Sequence, residues 1–85
     1  MSARIAVVED EAEIRSLIVE ELEDEGYEVA CAGNGAEGLK LIQDFKPQLV
    51  LSDITMPVLD GYAMLEGLRE LKAFSSTPIV FLSAL

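Results

Sequence analysis

Three carboxylates stand where short apolar runs of this sequence end. Glu9 and Asp10 follow Arg4-Ile5-Ala6-Val7-Val8, and Asp53 follows Gln48-Leu49-Val50-Leu51-Ser52. Like charges brought that close raise one another's pKa or repel, unless a cation sits among them. The chain has no histidine, and Lys40, Lys46 and Lys72 fall on or beside expected helices. The cation that suits such a cluster is a hard, oxygen-ligated one. Magnesium fits best, because it takes one or two carboxylates, keeps several waters and accepts phosphate oxygens. A carboxylate at the edge of such an ion can also be a nucleophile. Asp53, at the end of a central apolar run, could attack phosphorus and form an aspartyl phosphate, with the cation neutralising the developing charge. A fourth apolar run, Ile79-Val80-Phe81-Leu82, is followed by Ser83 and Ala84. The Ser83 hydroxyl and the Ala84 backbone N–H could each reach a phosphoryl oxygen, and the small Ala84 side chain leaves it accessible. Each residue alone has a plainer reading: an acidic doublet marks a helix start, and an aspartate after a strand is a common turn residue. Their shared placement carries the functional reading.

The elements that would position them follow from hydrophobic period. Residues 4–8 and 48–52 are continuous apolar runs of the kind buried on both faces of a parallel sheet. Ile14, Leu17, Ile18 and Leu22 share one helical face, with Arg15, Glu20, Glu21 and Asp24 off it. Asp10 or Glu11 can cap or favour that helix start, and Gly26 is placed to stop it. Tyr27–Cys31 alternates as a strand with one less buried face, and Gly33-Asn34-Gly35 marks a turn. Residues 36–45 read as a helix with Ala36, Leu39, Ile42 and Phe45 on one side, ended by Lys46-Pro47. Residues 61–73 read as a third helix with Met64, Leu65, Leu68 and Leu71 inward, begun at Asp60-Gly61. A strand at 79–82 completes a βαβαβαβ order. Such alternation predicts an α/β fold with a parallel sheet, in which ligands bind beyond the carboxyl ends of the strands. Cys31 reads as a small buried hydrophobe.

Composition sets the limits. The chain has 85 residues, 16 acids and 6 bases, for a net charge of −10, enough for one small domain. Half the residues are apolar (51%), too many for a disordered acidic tail. The acidity argues against direct nucleic-acid binding, which needs clustered Lys and Arg, and against anionic membranes; it favours cations and basic partners. It is also uneven, since residues 1–28 hold ten acids and two bases. A single cysteine excludes an internal disulfide. No signal-peptide pattern or membrane-length apolar run is present, so a cytoplasmic setting is expected.

Taken together, Val7-Val8-Glu9-Asp10-Glu11, Leu51-Ser52-Asp53-Ile54-Thr55-Met56-Pro57, Leu59-Asp60-Gly61 and Pro78-Ile79-Val80-Phe81-Leu82-Ser83-Ala84 resemble the receiver domain of two-component response regulators, in order and across the whole chain. The resemblance implies a flavodoxin-like, doubly wound sheet. It implies that Asp53 accepts a phosphoryl group from a phosphohistidine on a sensor histidine kinase or phosphotransfer protein. Magnesium would be held by the Asp10 and Asp53 side chains and the Thr55 backbone carbonyl, with Glu9 acting through a metal-bound water. Ser83 would be the switch hydroxyl, and Ala84 its small neighbour. Chemistry of this kind is self-phosphorylation and autodephosphorylation rather than enzyme turnover.

The family's five βα units are not all here. By this resemblance residues 1–85 are a single receiver domain truncated after its fourth strand, lacking the last helix-strand-helix and with it the phosphate-contacting lysine of the fifth strand. The fourth strand would then be an edge, a site for self-association. Two alternatives follow. One is a non-phosphorylatable truncated receiver acting as an interaction or dimerisation module. The other is an aspartyl-phosphate phosphatase of the haloacid dehalogenase kind, which wants an acid two residues after the nucleophile, where this chain has Thr55.

Overall fold

The structure, a computed structural model, describes residues 3–54 and 60–82. In chain order the elements are β1 (Arg4–Val8), α1 (Ala12–Asp24), β2 (Glu28–Ala32), α2 (Gly35–Phe45), β3 (Leu49–Asp53), α3 (Gly61–Glu70), a 3-10 turn (Lys72–Phe74) and β4 (Ile79–Leu82). The four strands form one sheet in the order β2-β1-β3-β4, and every pairing is parallel. This is the flavodoxin-like α/β arrangement that the apolar runs predict. Four elements differ in their bounds. β2 and β3 each begin and end one residue later than expected, α2 begins one residue earlier at Gly35, and α3 stops at Glu70, its chain continuing into the 3-10 turn.

Strand alternation sorts the core into two faces. Ala6 and Val8 of β1 lie beside Val50 and Ser52 of β3. Ala6, Val8 and Val50 pack with Ile42 of α2, Met64 and Leu68 of α3, and Phe74. Ile5 and Val7 turn to the opposite face, where α1 packs on β1 and β2. The faces are unequally covered. α1 has no fully buried residue; Ile18 and Leu22 are half-buried, whereas Ile14 is 40% and Leu17 67% exposed. The expected apolar face of this helix is therefore only half used, because among the described residues no second helix flanks α1.

Local chemistry explains where the helices begin and end. Gly26 has φ +94°. Its N–H donates to the Glu23 carbonyl at 3.0 Å, and that of Tyr27 donates to Leu22 at 3.1 Å, the paired bonds of a Schellman stop. Neither Asp10 nor Glu11 caps α1: Glu11 occupies the N-cap without a side-chain bond. Asn34 caps α2, accepting from the Glu37 N–H at 2.9 Å while its own amide donates to Glu37 Oε2 at 2.8 Å. At the far end of α2, Lys46 turns left-handed (φ 53°) ahead of Pro47, whose ring disfavours the helical conformation for the preceding residue. Arg4 ties this end to the sheet, its guanidinium donating to the carbonyls of Phe45 at 3.0 Å and Lys46 at 2.8 Å.

Two sequence expectations are corrected here. Cys31 is exposed, because β2 is an outer strand and the residue lies near its end. Ala36 is exposed as well, and α2 meets the sheet instead through Gly35, Gly38 and Ile42. A Cβ on Gly38 would lie 2.9 Å from Met64 Sδ and 3.0 Å from a Val8 methyl, so this glycine sets how closely α2 approaches β1. Replacing it by valine, Gly38→Val, forces those groups apart. Urea denaturation is expected to show a loss of about 1–3 kcal/mol, and unchanged stability would contradict this packing.

Candidate functional site

The strand order decides the site. β1 pairs directly with β3, with Val8 beside Ser52, so Glu9 and Asp10 emerge next to Asp53. Carboxylate oxygens of Glu9, Asp10 and Asp53 all lie within 4.8 Å of one another. Burial grades across the cluster: Glu9 is 5% exposed, Asp53 half-buried and Asp10 exposed.

Hydrogen bonds hold Glu9 and Asp53 in place. The Glu9 N–H donates to the Ala32 carbonyl of β2 at 3.1 Å. Its carboxylate oxygen Oε2 accepts from the Glu11 N–H at 3.3 Å. Asp53 Oδ1 accepts from the Ile54 N–H at 2.8 Å, and the buried Ser52 hydroxyl donates to the Asp53 carbonyl at 2.8 Å. Burial, followed by the hydrogen bond to the Asp10 side chain, pushes the Glu9 carboxyl up from 4.5 to about 7; Asp53 adds to this by charge and by hydrogen bonding, against a lowering by the Glu11 N–H. Crowded carboxylates add to the effect of burial in the direction expected for like charges. A donor set made only of carboxylate oxygens suits a hard divalent cation, whose charge would relieve the repulsion.

Two neighbours escaped the sequence reading. In the sequence Gly61 marks a helix start and belongs to the Leu59-Asp60-Gly61 segment of the resemblance, with no site role attached to it. The Asp60 side chain does accept from the Ala63 N–H at 2.8 Å, but Gly61 also lies hard against the site. A Cβ there would come 2.5 Å from the Asp53 carbonyl oxygen and 2.9 Å from Phe81. Its N–H donates to the Ile54 carbonyl at 2.8 Å, so α3 is keyed to the end of β3. Arg15, read only as an outward polar residue, turns back to donate to the Glu9 carbonyl at 2.8 Å. The available signal was its isolation as one of two bases among the first 28 residues. Thr55, Ser83 and Ala84 lie outside the described residues. The lysines are where the sequence put them, with Lys40 on α2, Lys46 at its C-cap and Lys72 in the 3-10 turn.

Known proteins share this architecture. The response regulator receiver domain family matches residues 5–85. The chain is 39% identical to the probable transcriptional regulator ycf29 of Porphyra purpurea, covering 99% of this chain and 40% of that protein. It is 43% identical to the response regulator Rre1 of Synechocystis, covering 94% of this chain and 35% of that protein. The chemotaxis protein CheY4 of Vibrio cholerae superposes with a TM-score of 0.91 at 32% identity, over 95% of this chain and 68% of that one. The receiver domain of the sensor histidine kinase PA1611 of Pseudomonas aeruginosa, whose structure has a magnesium ion coordinated in the active site cleft, superposes with a TM-score of 0.93 at 27% identity, over 99% of this chain and 69% of that one. The chain thus spans two-fifths or less of these curated relatives' length.

The raised Glu9 pKa has a consequence for stability with a definite sign. Protonated Glu9 favours the fold, fully so below about pH 4.5, and this contribution is lost as the pH rises through about 7. Without divalent cations, Glu9→Gln is expected to remove about 2 kcal/mol of that decline between these limits. Parallel pH slopes for the parent and Glu9→Gln in denaturant titrations would contradict the crowding described.

Proposed function

Because the chain belongs to the response regulator receiver domain family, we propose that it is a two-component signalling receiver whose Asp53 accepts a phosphoryl group from a sensor histidine kinase or phosphotransfer protein. The observation that carries this reading is the meeting of Glu9, Asp10 and Asp53 within 4.8 Å at the carboxyl ends of β1 and β3. The magnesium in the PA1611 receiver adds support.

In this reading an Asp53 oxygen attacks phosphorus, the phosphorus–nitrogen bond to the donor imidazole breaks, and that imidazole leaves with the bonding pair. The Ile54 N–H on Oδ1 orients the nucleophile, and the β3 backbone fixes it against the sheet. Asp10 and Asp53, with the Thr55 carbonyl, would hold magnesium, and Glu9 would bind one of its waters. The bound cation would supply charge neutralisation for the phosphoryl oxygens. Ser83 is assigned as the switch hydroxyl and Ala84 as an N–H donor beside it. The chain acts as one receiver unit in the cytoplasm and uses neither nucleic acid nor lipid as a direct partner. No helix among the described residues is long and apolar enough to cross a membrane.

A second reading, an interaction or dimerisation module, rests on β4. This strand is the outer one on its side of the sheet, and Val80 on it is 49% exposed. Among the described residues no strand pairs with its outer edge, which makes that edge a template for pairing with a second copy.

Magnesium with acetyl phosphate or phosphoramidate should add one phosphoryl group to the chain by mass spectrometry, and Asp53→Asn should abolish the adduct. No adduct at saturating donor would overturn phosphoacceptance and leave the module reading. Magnesium affinity should fall about tenfold or more in Asp10→Asn. Independently, sedimentation should show concentration-dependent self-association; a monomer at high concentration would refute pairing through β4.

A further inference from the structure

We propose that Arg15 is a positioning residue of the cation site, fixing the turn that presents Glu9 and Asp10. The inference rests on the reading of Glu9, Asp10 and Asp53 as a magnesium site.

Arg15 is oddly placed for an arginine with only a surface role. It is the fourth residue of α1, near the end of a helix where the macrodipole disfavours positive charge. Its neighbours Ile14, Ser16 and Leu17 are exposed, yet Arg15 itself is half-buried. The cause is its contact. Nη1 donates to the Glu9 carbonyl at 2.8 Å, reaching back over the start of its own helix. Glu9 is therefore gripped on both sides of its backbone, its N–H by Ala32 of β2 at 3.1 Å and its carbonyl by Arg15.

At the helix start the one other side-chain bond among the described residues is the longer one from the Glu11 N–H to Glu9 Oε2, at 3.3 Å. The N-cap Glu11 makes no side-chain bond to the first turn, so the usual device for fixing a strand-to-helix turn is absent. The Arg15 guanidinium takes its place and points its charge at a backbone oxygen rather than at a carboxylate. It does not compete for the Glu9 and Asp10 carboxylates, each of which brings an oxygen within 4.8 Å of Asp53. Gly33, in the turn after β2, completes the arrangement. A Cβ there would lie 3.1 Å from Arg15 Nη1, so the glycine leaves room for the guanidinium.

A group that orients ligands without binding the ion typically changes metal affinity about tenfold or more when removed. Magnesium alone is the probe, titrated calorimetrically into the full chain at a temperature where circular dichroism shows each variant folded. Arg15→Ala is expected to weaken binding about tenfold, and Arg15→Lys, which keeps one donor, about threefold. Gly26→Ala, which strains the other end of α1, is expected to leave affinity unchanged. Parent affinity in Arg15→Ala would overturn the proposal, as would an equal loss in Gly26→Ala, which marks a merely structural effect. If Arg15→Ala does not fold, Arg15→Lys decides: a threefold loss supports the role and parent affinity overturns it. Asp10→Asn serves as the control on the premise, since unchanged binding there removes the magnesium site itself rather than the part played by Arg15.

Discussion

Carboxylates whose oxygens lie within 4.8 Å must be held there against their own repulsion. In this chain the sheet backbone supplies the restraint. Parallel pairing of β1 with β3 brings their carboxyl ends side by side. The Ala32 carbonyl, the Ile54 N–H and the Ser52 hydroxyl then fix the peptides that carry the acids. The core beneath is what makes this framework stiff. Ala6, Val8 and Val50 are fully buried under α2 and α3, and Gly38 and Gly61 let those helices come close enough to seat them.

Charge in this protein matters by position rather than by amount. Glu20, Glu21, Glu23, Asp24 and Glu25 make up much of the acidity of the first 28 residues, and all are exposed on or just beyond the outer turns of α1. They carry solvated charge and no visible chemistry. Glu9 is one acid among sixteen, yet its burial beside two others displaces its protonation upward. Net charge alone could not have separated these roles; the ends of the strands do.

The sequence was most legible where one physical demand acts alone. Continuous apolar runs at 4–8 and 79–82 match strands with the observed bounds, because short runs of this composition suit little else, although only the first is largely buried and Val80 on the second is 49% exposed. Gly26 and Asp60 were readable because a left-handed stop and an N-cap each need a particular residue type. The site's acids were readable from their place after strands, once alternation implied a parallel sheet. Legibility failed where tertiary neighbours decide. Periodicity cannot say that the Ile14–Leu17 side of α1 has only partial cover. It favours Ala36 as a core residue, while the close helix–sheet approach selects Gly38. It cannot show that Arg15 folds back onto Glu9, since nothing in the spacing of a lone base distinguishes a solvated side chain from a carbonyl ligand.

The all-parallel register also governs how the chain must reach this structure. No strand here can zip to its partner through a tight hairpin; Ile5 pairs with Leu49 across a stretch of chain that holds α1, β2 and α2. Loop-closure entropy is spent before any such pairing is rewarded, and topologies of this type fold slowly for their size. During that interval the apolar runs Ile5–Val8 and Ile79–Leu82 are exposed together; acids crowd directly behind the first, whereas residues 71–85 hold none. Acids placed beside an apolar run are gatekeepers against pairing between chains, a safeguard the first strand has and the fourth does without.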